Sequence, residues 1–82
     1  MKEKAQAGGT DFQTITIKDD FIRLGQALKF ANLVENGGQA KFEIQGGKVK
    51  VNGEINCQRG KKLVGGDEVS YGGVTLKILQ KE

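Results

Sequence analysis

The sequence has 82 residues, and among them there is no histidine, no tryptophan and no proline. Without histidine, the chain lacks the side chain that most often serves as a general base near neutral pH. It also contains no Ser-centred nucleophile motif, no cluster of metal-ligand residues and no phosphate-binding G-x-x-x-x-G-K-[ST] loop. We therefore predict no enzymatic activity, no catalytic residues, no metal site, no cofactor and no small-molecule substrate.

Cysteine occurs once, at position 57, so no disulfide can form within the chain. This usage fits a reducing compartment better than secretion. With no histidine to activate it, Cys57 is expected to be a half-buried apolar side chain. The sequence has no apolar run long enough for a membrane span or a signal-peptide core. We expect a cytoplasmic protein that does not bind membranes.

Glycine occurs 13 times whereas proline is absent, so glycine must make the turns. Asn52-Gly53 predicts a two-residue hairpin turn, because a type I′ turn needs positive φ at both positions. This turn would connect a strand over residues 48–51, with valines inward and lysines outward, to a return strand from Glu54 to about Gln58. A second hairpin is predicted around Gly72-Gly73.

The beginning of the chain is predicted to hold a tail and one strand. Residues 1–11 show no hydrophobic period and are predicted to be a mobile tail, followed by a single domain over residues 12–82. Residues 12–18 alternate between apolar and polar side chains, which predicts a short edge strand.

Two helices are predicted between this strand and the first hairpin. Asp19 and Asp20 offer N-cap oxygens to the first helix. Its apolar stripe would consist of residues at three- and four-residue steps: Phe21, Leu24, Leu28 and Ala31. Asn36 offers an N-cap to the second helix, with Gln39 at capping-box spacing, and Gly46-Gly47 would end that helix.

Positive charge is concentrated in the middle of the chain. Residues 21–62 carry eight cationic and three acidic side chains, whereas the segments before and after each have a net charge of −1. The eight cations are Arg23, Lys29, Lys41, Lys48, Lys50, Arg59, Lys61 and Lys62. Two interpretations remain open, an ordinary solvated surface or a site for a polyanion.

A set of apolar, glycine and polar residues between positions 23 and 69 has a characteristic order. The set consists of Arg23-Leu24, Leu28, Asn36, Ala40-Lys41, Ile44, Gly47, Val49, Val51-Asn52-Gly53, Leu63, Gly66-Asp67 and Val69. It resembles the S-four RNA-binding domain, named after the fourth small-subunit ribosomal protein, and most of all its small free-standing bacterial members. The resemblance implies an α+β fold with the αL motif, in which two short helices pack on a small antiparallel sheet of about four to five short strands.

The resemblance also implies a basic concave face, made by the two helices and the hairpin, that binds structured RNA and often ribosomal RNA. The candidate RNA-binding residues are Arg23, Lys29, Gly37, Gly38, Gln39, Lys41, Lys48, Lys50, Arg59, Lys61 and Lys62. Lys48 and Lys50 would lie about 7 Å apart on one strand face, close to the spacing of phosphates along RNA. Arg23 could instead pair with Asp19 or Asp20. We expect no catalytic domain to accompany the module.

One pair of residues departs from the family pattern. Many members have Ser-Arg where this chain has Asn36-Gly37. Asn36 keeps the capping role, but the arginine that would contact phosphate is missing. Because Gly37 and Gly38 leave the helix N-terminus uncovered, its free N–H groups could receive a phosphate directly.

The aromatic residues are few and scattered. They are Phe12, Phe21, Phe30, Phe42 and Tyr71. Most are expected in the core, and Phe42 is expected to pack beneath the hairpin or the tail. Because proteins that bind single strands stack bases on exposed aromatic side chains, this distribution favours folded RNA recognised by its shape and backbone.

Two other functions fit parts of the pattern. A β-grasp carrier protein also contains Val-Asn-Gly-Glu and Gly-Asp-x-Val segments, but carriers need a C-terminal Gly-Gly and this chain ends Gln80-Lys81-Glu82. An adaptor could use the same basic face on an acidic protein partner. A pull-down treated with RNase distinguishes the adaptor hypothesis from the RNA-binding hypothesis, because a protein contact survives digestion.

The expected partner is structured RNA, with the ribosome as a candidate, and the expected state is a monomer.

Overall fold

The computed structural model describes residues 11–81, which form two helices and seven strands. The helices are α1 (Leu24–Phe30) and α2 (Gly37–Gln45). The strands are β1 (Asp11–Ile17), β2 (Ile22–Arg23), β3 (Lys50–Val51), β4 (Glu54–Ile55), β5 (Lys62–Leu63), β6 (Glu68–Tyr71) and β7 (Val74–Gln80). The predicted tail lies outside the described residues except for Asp11, which begins β1.

Five strands form one sheet in the order β1-β7-β6-β3-β4, and β2 and β5 form a separate two-stranded sheet. The predicted α+β class and the edge position of β1 are confirmed. The sheet is mixed, however, because β1 runs parallel to β7 while the other pairs are antiparallel. A parallel pair needs a long crossover, and here most of the domain lies between its two strands.

One hydrophobic core joins the helices to the inner face of the larger sheet. The strands contribute alternating residues such as Ile15, Leu76 and Val69. The helices contribute Leu24, Ala27, Leu28, Ala40 and Ile44, all of them fully buried. Burying an aliphatic side chain contributes about 1.5–3 kcal/mol each, so this shared core accounts for much of the driving force for folding.

Helix α1 begins later than its acidic N-cap signal predicts. Ile22 and Arg23 pair with Leu63 and Lys62 as an extended β2–β5 ladder, so helical backbone cannot start before Leu24. The N-cap is therefore Arg23, whose backbone N–H donates to Gln26 Oε1 at 3.2 Å. The predicted N-cap at Asp19 or Asp20 is wrong, because a long-range strand pair overrides the local signal.

Helix α2 begins and ends where the sequence predicts. Asn36 Oδ1 accepts from the backbone N–H of Gln39 at 2.8 Å, as an N-cap should. Gln39 Oε1 in turn accepts from the backbone N–H of Glu35 at 2.7 Å. After the helix, Gly47 has φ +77, a backbone conformation that favours glycine.

Asn52 and Asp67 connect the first hairpin to the turn before β6. Asn52 Nδ2 donates to Asp67 Oδ1 at 3.1 Å, and Asn52 Oδ1 accepts from Glu68 N at 3.0 Å. Asp67 Oδ2 accepts from Val64 N at 2.8 Å. Asn52 has φ 52 and Gly53 has φ 88, as the predicted hairpin turn requires. The Val51-Asn52-Gly53 and Gly66-Asp67 segments of the family pattern thus form one hydrogen-bonded unit.

The return strand is shorter than predicted, since β4 ends at Ile55. Asn56 Oδ1 accepts from Gln58 N at 2.9 Å, which turns the chain out of the sheet. Cys57 therefore lies in an exposed loop, and the prediction that it is half-buried is wrong. Before it enters β5, this loop passes next to the first residues of α1.

Candidate nucleic-acid interface

Four cationic residues are held together where the 59–62 loop meets the start of α1. Leu24 N donates to Lys61 O at 2.8 Å, and Gly25 N donates to Arg59 O at 3.0 Å. Arg23 lies directly opposite Lys62 in the β2–β5 ladder. We call Arg23, Arg59, Lys61 and Lys62 the basic cluster. Its members are exposed and come from segments far apart in the sequence.

Arg23 and Arg59 are positioned by backbone groups of the facing segments. Arg23 Nη1 donates to Gly60 O at 3.0 Å, so its guanidinium is directed to this loop and not to Asp19 or Asp20. The stem of Arg59 lies over Gly25, where an added Cβ would be 2.7 Å from Arg59 Cγ. Sequence reasoning missed Gly25. The available signal was a glycine inside a helical pattern, which usually has a packing reason.

Two charges of the basic cluster face each other across the β2–β5 pair. Like charges directly opposite each other in an antiparallel pair are destabilising, and Arg23 faces Lys62. The Phe21 ring offsets part of this repulsion, because Lys62 Nζ is 4.7 Å and Arg23 Cζ is 5.4 Å from its centroid. A concentration of exposed positive charge is typical of a surface that binds an anion.

Two of the candidate lysines, Lys61 and Lys48, have acidic side chains nearby. Lys61 borders a small polar pocket that Glu54 and Asp67 also line. Lys48 Nζ lies 3.3 Å from Glu43 Oε2, an oxygen that has no hydrogen bond of its own. Part of the charge of Lys48 is therefore balanced within the protein, which makes it the weakest of the lysine candidates.

Glu43 also accepts a hydrogen bond from the Tyr71 hydroxyl, at 2.8 Å from Oε1. This hydrogen bond, together with the nearby charge of Lys48, lowers the pKa of Glu43 despite the opposing effect of desolvation. The same hydrogen bond raises the pKa of Tyr71. Both shifts mean that the pair is most stable as a carboxylate and a neutral phenol.

Replacing Tyr71 by phenylalanine is expected to flatten the acid limb of the stability curve. A carboxyl whose folded-state pKa is lowered stabilises the fold above its unfolded pKa, and this contribution disappears as pH falls through the folded pKa. The wild type should therefore lose more unfolding free energy than Tyr71→Phe between about pH 7 and about pH 3. Urea unfolding across this range measures the difference, and parallel curves for the two proteins would contradict the expectation.

The remaining lysine candidates lie on three different elements. Lys29 is in the last turn of α1, Lys41 is in α2 and Lys50 is in β3, and all three are exposed. Lys50 alternates with the buried Val51, so it projects from the outer face of the sheet. Among the described residues, no side-chain hydrogen bond links these lysines to the basic cluster. Their convergence on one face stays a prediction.

The N-terminus of α2 is partly available. A Cβ at Gly37 would meet no atom within 4 Å, and one at Gly38 would meet only Asn36 Oδ1, at 3.3 Å. The N–H of Gln39, in contrast, is occupied by the Asn36 cap. Of the three candidates at this corner, only the two glycines could offer the predicted backbone N–H groups to a phosphate.

The aromatic side chains lie largely outside the core, contrary to prediction. Phe12, Phe30 and Phe42 are 63%, 68% and 73% exposed. Phe42 lies on α2, on the side away from the buried Ala40 and Ile44. Phe12 alternates with inward residues of an edge strand and faces away from the core. Tyr71 alone among the five packs against the core, partly buried.

Two of the phenylalanines line a cleft beside the basic cluster. It has a volume of about 420 Å³ and lies between the end of β1, the segment that follows it, and α1. Phe21, Ile22 and Phe30 form apolar walls, and Lys18, Asp19 and Gln26 supply polar groups.

Two other kinds of site are absent from residues 11–81. This part of the chain contains no group of three or more acidic or cysteine side chains placed to hold a metal ion. Neither of its helices has the length and apolar character needed to cross a membrane.

Comparison with known proteins identifies the class. The profile of the S4 domain family matches residues 15–79, and the chain belongs to this family. The predicted family is thereby confirmed.

Two bacterial proteins are similar over most of their length. A Bacillus subtilis (strain 168) protein named "Probable ribosome maturation protein RlbA" is 42% identical over 59 residues, which cover 72% of this chain and 83% of that protein. YbcJ of Escherichia coli (strain K12) is 34% identical over 62 residues, covering 76% of this chain and 89% of YbcJ. The solution structure of YbcJ matches with a TM-score of 0.63 at 26% identity and covers 96% of this chain and 99% of YbcJ. That structure is described as revealing an αL motif involved in RNA-binding, and the shared fold confirms the predicted αL architecture.

Proposed function

We propose that this protein is a non-catalytic RNA-binding protein that binds structured RNA, ribosomal RNA in particular, through the basic cluster. The observation that carries the proposal is the placement of Arg23 opposite Lys62, with Arg59 on Gly25 beside them. Clustered charge of one sign creates a local potential that attracts ligands of the opposite charge. The names given to RlbA and to the YbcJ structure support RNA as this ligand.

The surface would extend from the basic cluster onto both helices. Lys29 and Lys41 would contact phosphates from α1 and α2, with the backbone of Gly37 and Gly38 beside them. Lys50 would contribute from the hairpin. Contacts of this kind position RNA by its backbone and carry little sequence information. We place the protein in the cytoplasm, as a monomer that associates with ribosomal RNA.

A salt titration tests the proposal. Binding of purified ribosomal RNA is measured by filter retention or fluorescence anisotropy at increasing potassium chloride. With ~4–6 phosphates neutralised, the logarithm of the association constant should fall with a slope of roughly −3 to −5 against the logarithm of salt concentration. A slope near zero, or no binding at low salt, would overturn the proposal. Pull-downs with and without RNase then show whether any protein partner is held independently of RNA.

A further inference from the structure

We propose that the cleft lined by Phe21 and Phe30 receives one unpaired nucleobase of the bound RNA. The inference rests on the proposed function and deepens it, because it adds recognition of a base to binding through the backbone. It differs from the recognition by shape alone that the scarcity of aromatic residues predicts, because two of the phenylalanines line a cleft.

The size and walls of the cleft suit a nucleobase. Its volume of about 420 Å³ lies within the range of roughly 300–1,000 Å³ that is usual for small-molecule sites. Phe30 lines the cleft and is 68% exposed, so its ring is available for stacking. Stacking on an aromatic side chain accommodates every base, because each base has a flat π face.

The polar groups of the cleft can bind the edge of a base. Gln26 Oε1 is occupied by the backbone N–H of Arg23, which fixes the side chain and leaves its amide N–H₂ as the donor. Asp19 is held in place because its backbone carbonyl accepts from Gln80 Nε2 at 2.9 Å. Its carboxylate can accept hydrogen bonds. A base presents donors and acceptors on one edge, so it can use both groups.

Phe21 connects this cleft to the basic cluster. It lines the cleft, and Lys62 Nζ lies 4.7 Å from the centroid of its ring, with the guanidinium of Arg23 nearby. A nucleotide combines a flat base with an anionic phosphate, which is the pairing of apolar cleft and cations found here. An apolar peptide would fill the cleft but would offer these cations no anionic group. The charge therefore favours an RNA nucleotide as the occupant.

Matched RNA hairpins test this inference. One hairpin is fully paired, and four others differ from it only by a single bulged A, C, G or U. The wild type should bind at least one bulged hairpin about tenfold more tightly than the paired one. Phe30→Ala should abolish this preference while its affinity for the paired hairpin stays within about twofold. Phe42→Ala is the control, since Phe42 is 73% exposed on α2 and does not line the cleft.

The outcomes separate the inference from the proposed function. If the wild type binds all hairpins equally, or if Phe30→Ala keeps the preference, the base site is wrong while RNA binding by the basic cluster stands. If the wild type binds none of the hairpins and no ribosomal RNA, both proposals fail. Circular dichroism confirms that each variant is folded, which is expected because both side chains are exposed.

Discussion

Reversing two charges of the basic cluster, Arg59→Glu with Lys62→Glu, is expected to weaken RNA binding by about 100-fold. Each side chain is proposed to contact phosphate, and loss of one charged contact costs roughly tenfold in affinity, or about 1.4 kcal/mol. The salt slope should become shallower by about two, because two fewer counterions are released. Anisotropy with labelled ribosomal RNA at several salt concentrations measures both quantities.

The same substitutions should leave the fold intact. A glutamate in place of Lys62 would face Arg23 across the β2–β5 pair and replace a repulsion with an attraction, while the contact of Lys62 with the Phe21 ring would be lost. Each of these effects is about 1 kcal/mol or less and they oppose each other. At position 59, glutamate keeps Cβ and Cγ, so aliphatic atoms still lie over Gly25. Thermal unfolding should therefore stay close to that of the wild type. A large loss of stability would show that these cations serve the fold.

The control is Lys77→Glu with Lys81→Glu, which changes the net charge by the same amount at β7 and just after it. Lys77 pairs with Glu68 at 3.4 Å, and neither lysine belongs to the basic cluster. RNA affinity should fall by less than about threefold in this control, because only the long-range field of the protein changes. Equal losses in the two double variants would mean that net charge alone, and no particular surface, governs binding.

Replacing Asn52 by alanine is expected to lower the unfolding free energy by about 2–3 kcal/mol. The substitution removes the hydrogen bonds to Asp67 and from Glu68, each contributing about 1 kcal/mol. It also places an alanine at φ 52, a left-handed conformation that asparagine tolerates better. For a domain of this size, such a loss is a large part of the total stability. Urea unfolding followed by circular dichroism measures it.

Asn52→Gly separates the two causes. Glycine removes the same side-chain hydrogen bonds and adopts positive φ readily, so it should lose about 1 kcal/mol less than alanine, although the unfolded glycine chain gains entropy. Asp67→Ala should resemble Asn52→Gly, since it loses the bonds from Asn52 and Val64 without backbone strain. An Asn52→Ala variant as stable as the wild type would show that this network does not connect the hairpin to β6 in solution.

Much of the fold follows from signals that act over a few residues. The Asn36 cap, the positive φ of Gly47 and the Asn52-Gly53 turn depend on chemistry within about four positions, and all three are present. The family was predicted from the spacing of apolar and glycine residues, and the match over residues 15–79 confirms it.

Other expectations failed where a distant segment decided the outcome. The start of α1 depends on the ladder between β2 and β5, whose partners are far apart in the sequence. The parallel pairing of β1 with β7 joins the two ends of the described chain. Residue type predicts burial of Cys57 and most of the phenylalanines, but their exposure depends on the face or loop in which the fold places them.

For the candidate site, the residues by themselves determined the number and sign of the charges and the absence of a histidine base. Only the tertiary structure decided how they are grouped. It placed Arg23 against Lys62 and Arg59 on Gly25, turned Lys48 towards Glu43, and opened a cleft beside Phe21. Charge is a property of a side chain and can be read from composition. The distance between two charges is a property of the folded backbone, and it depends on contacts between segments that local sequence does not encode.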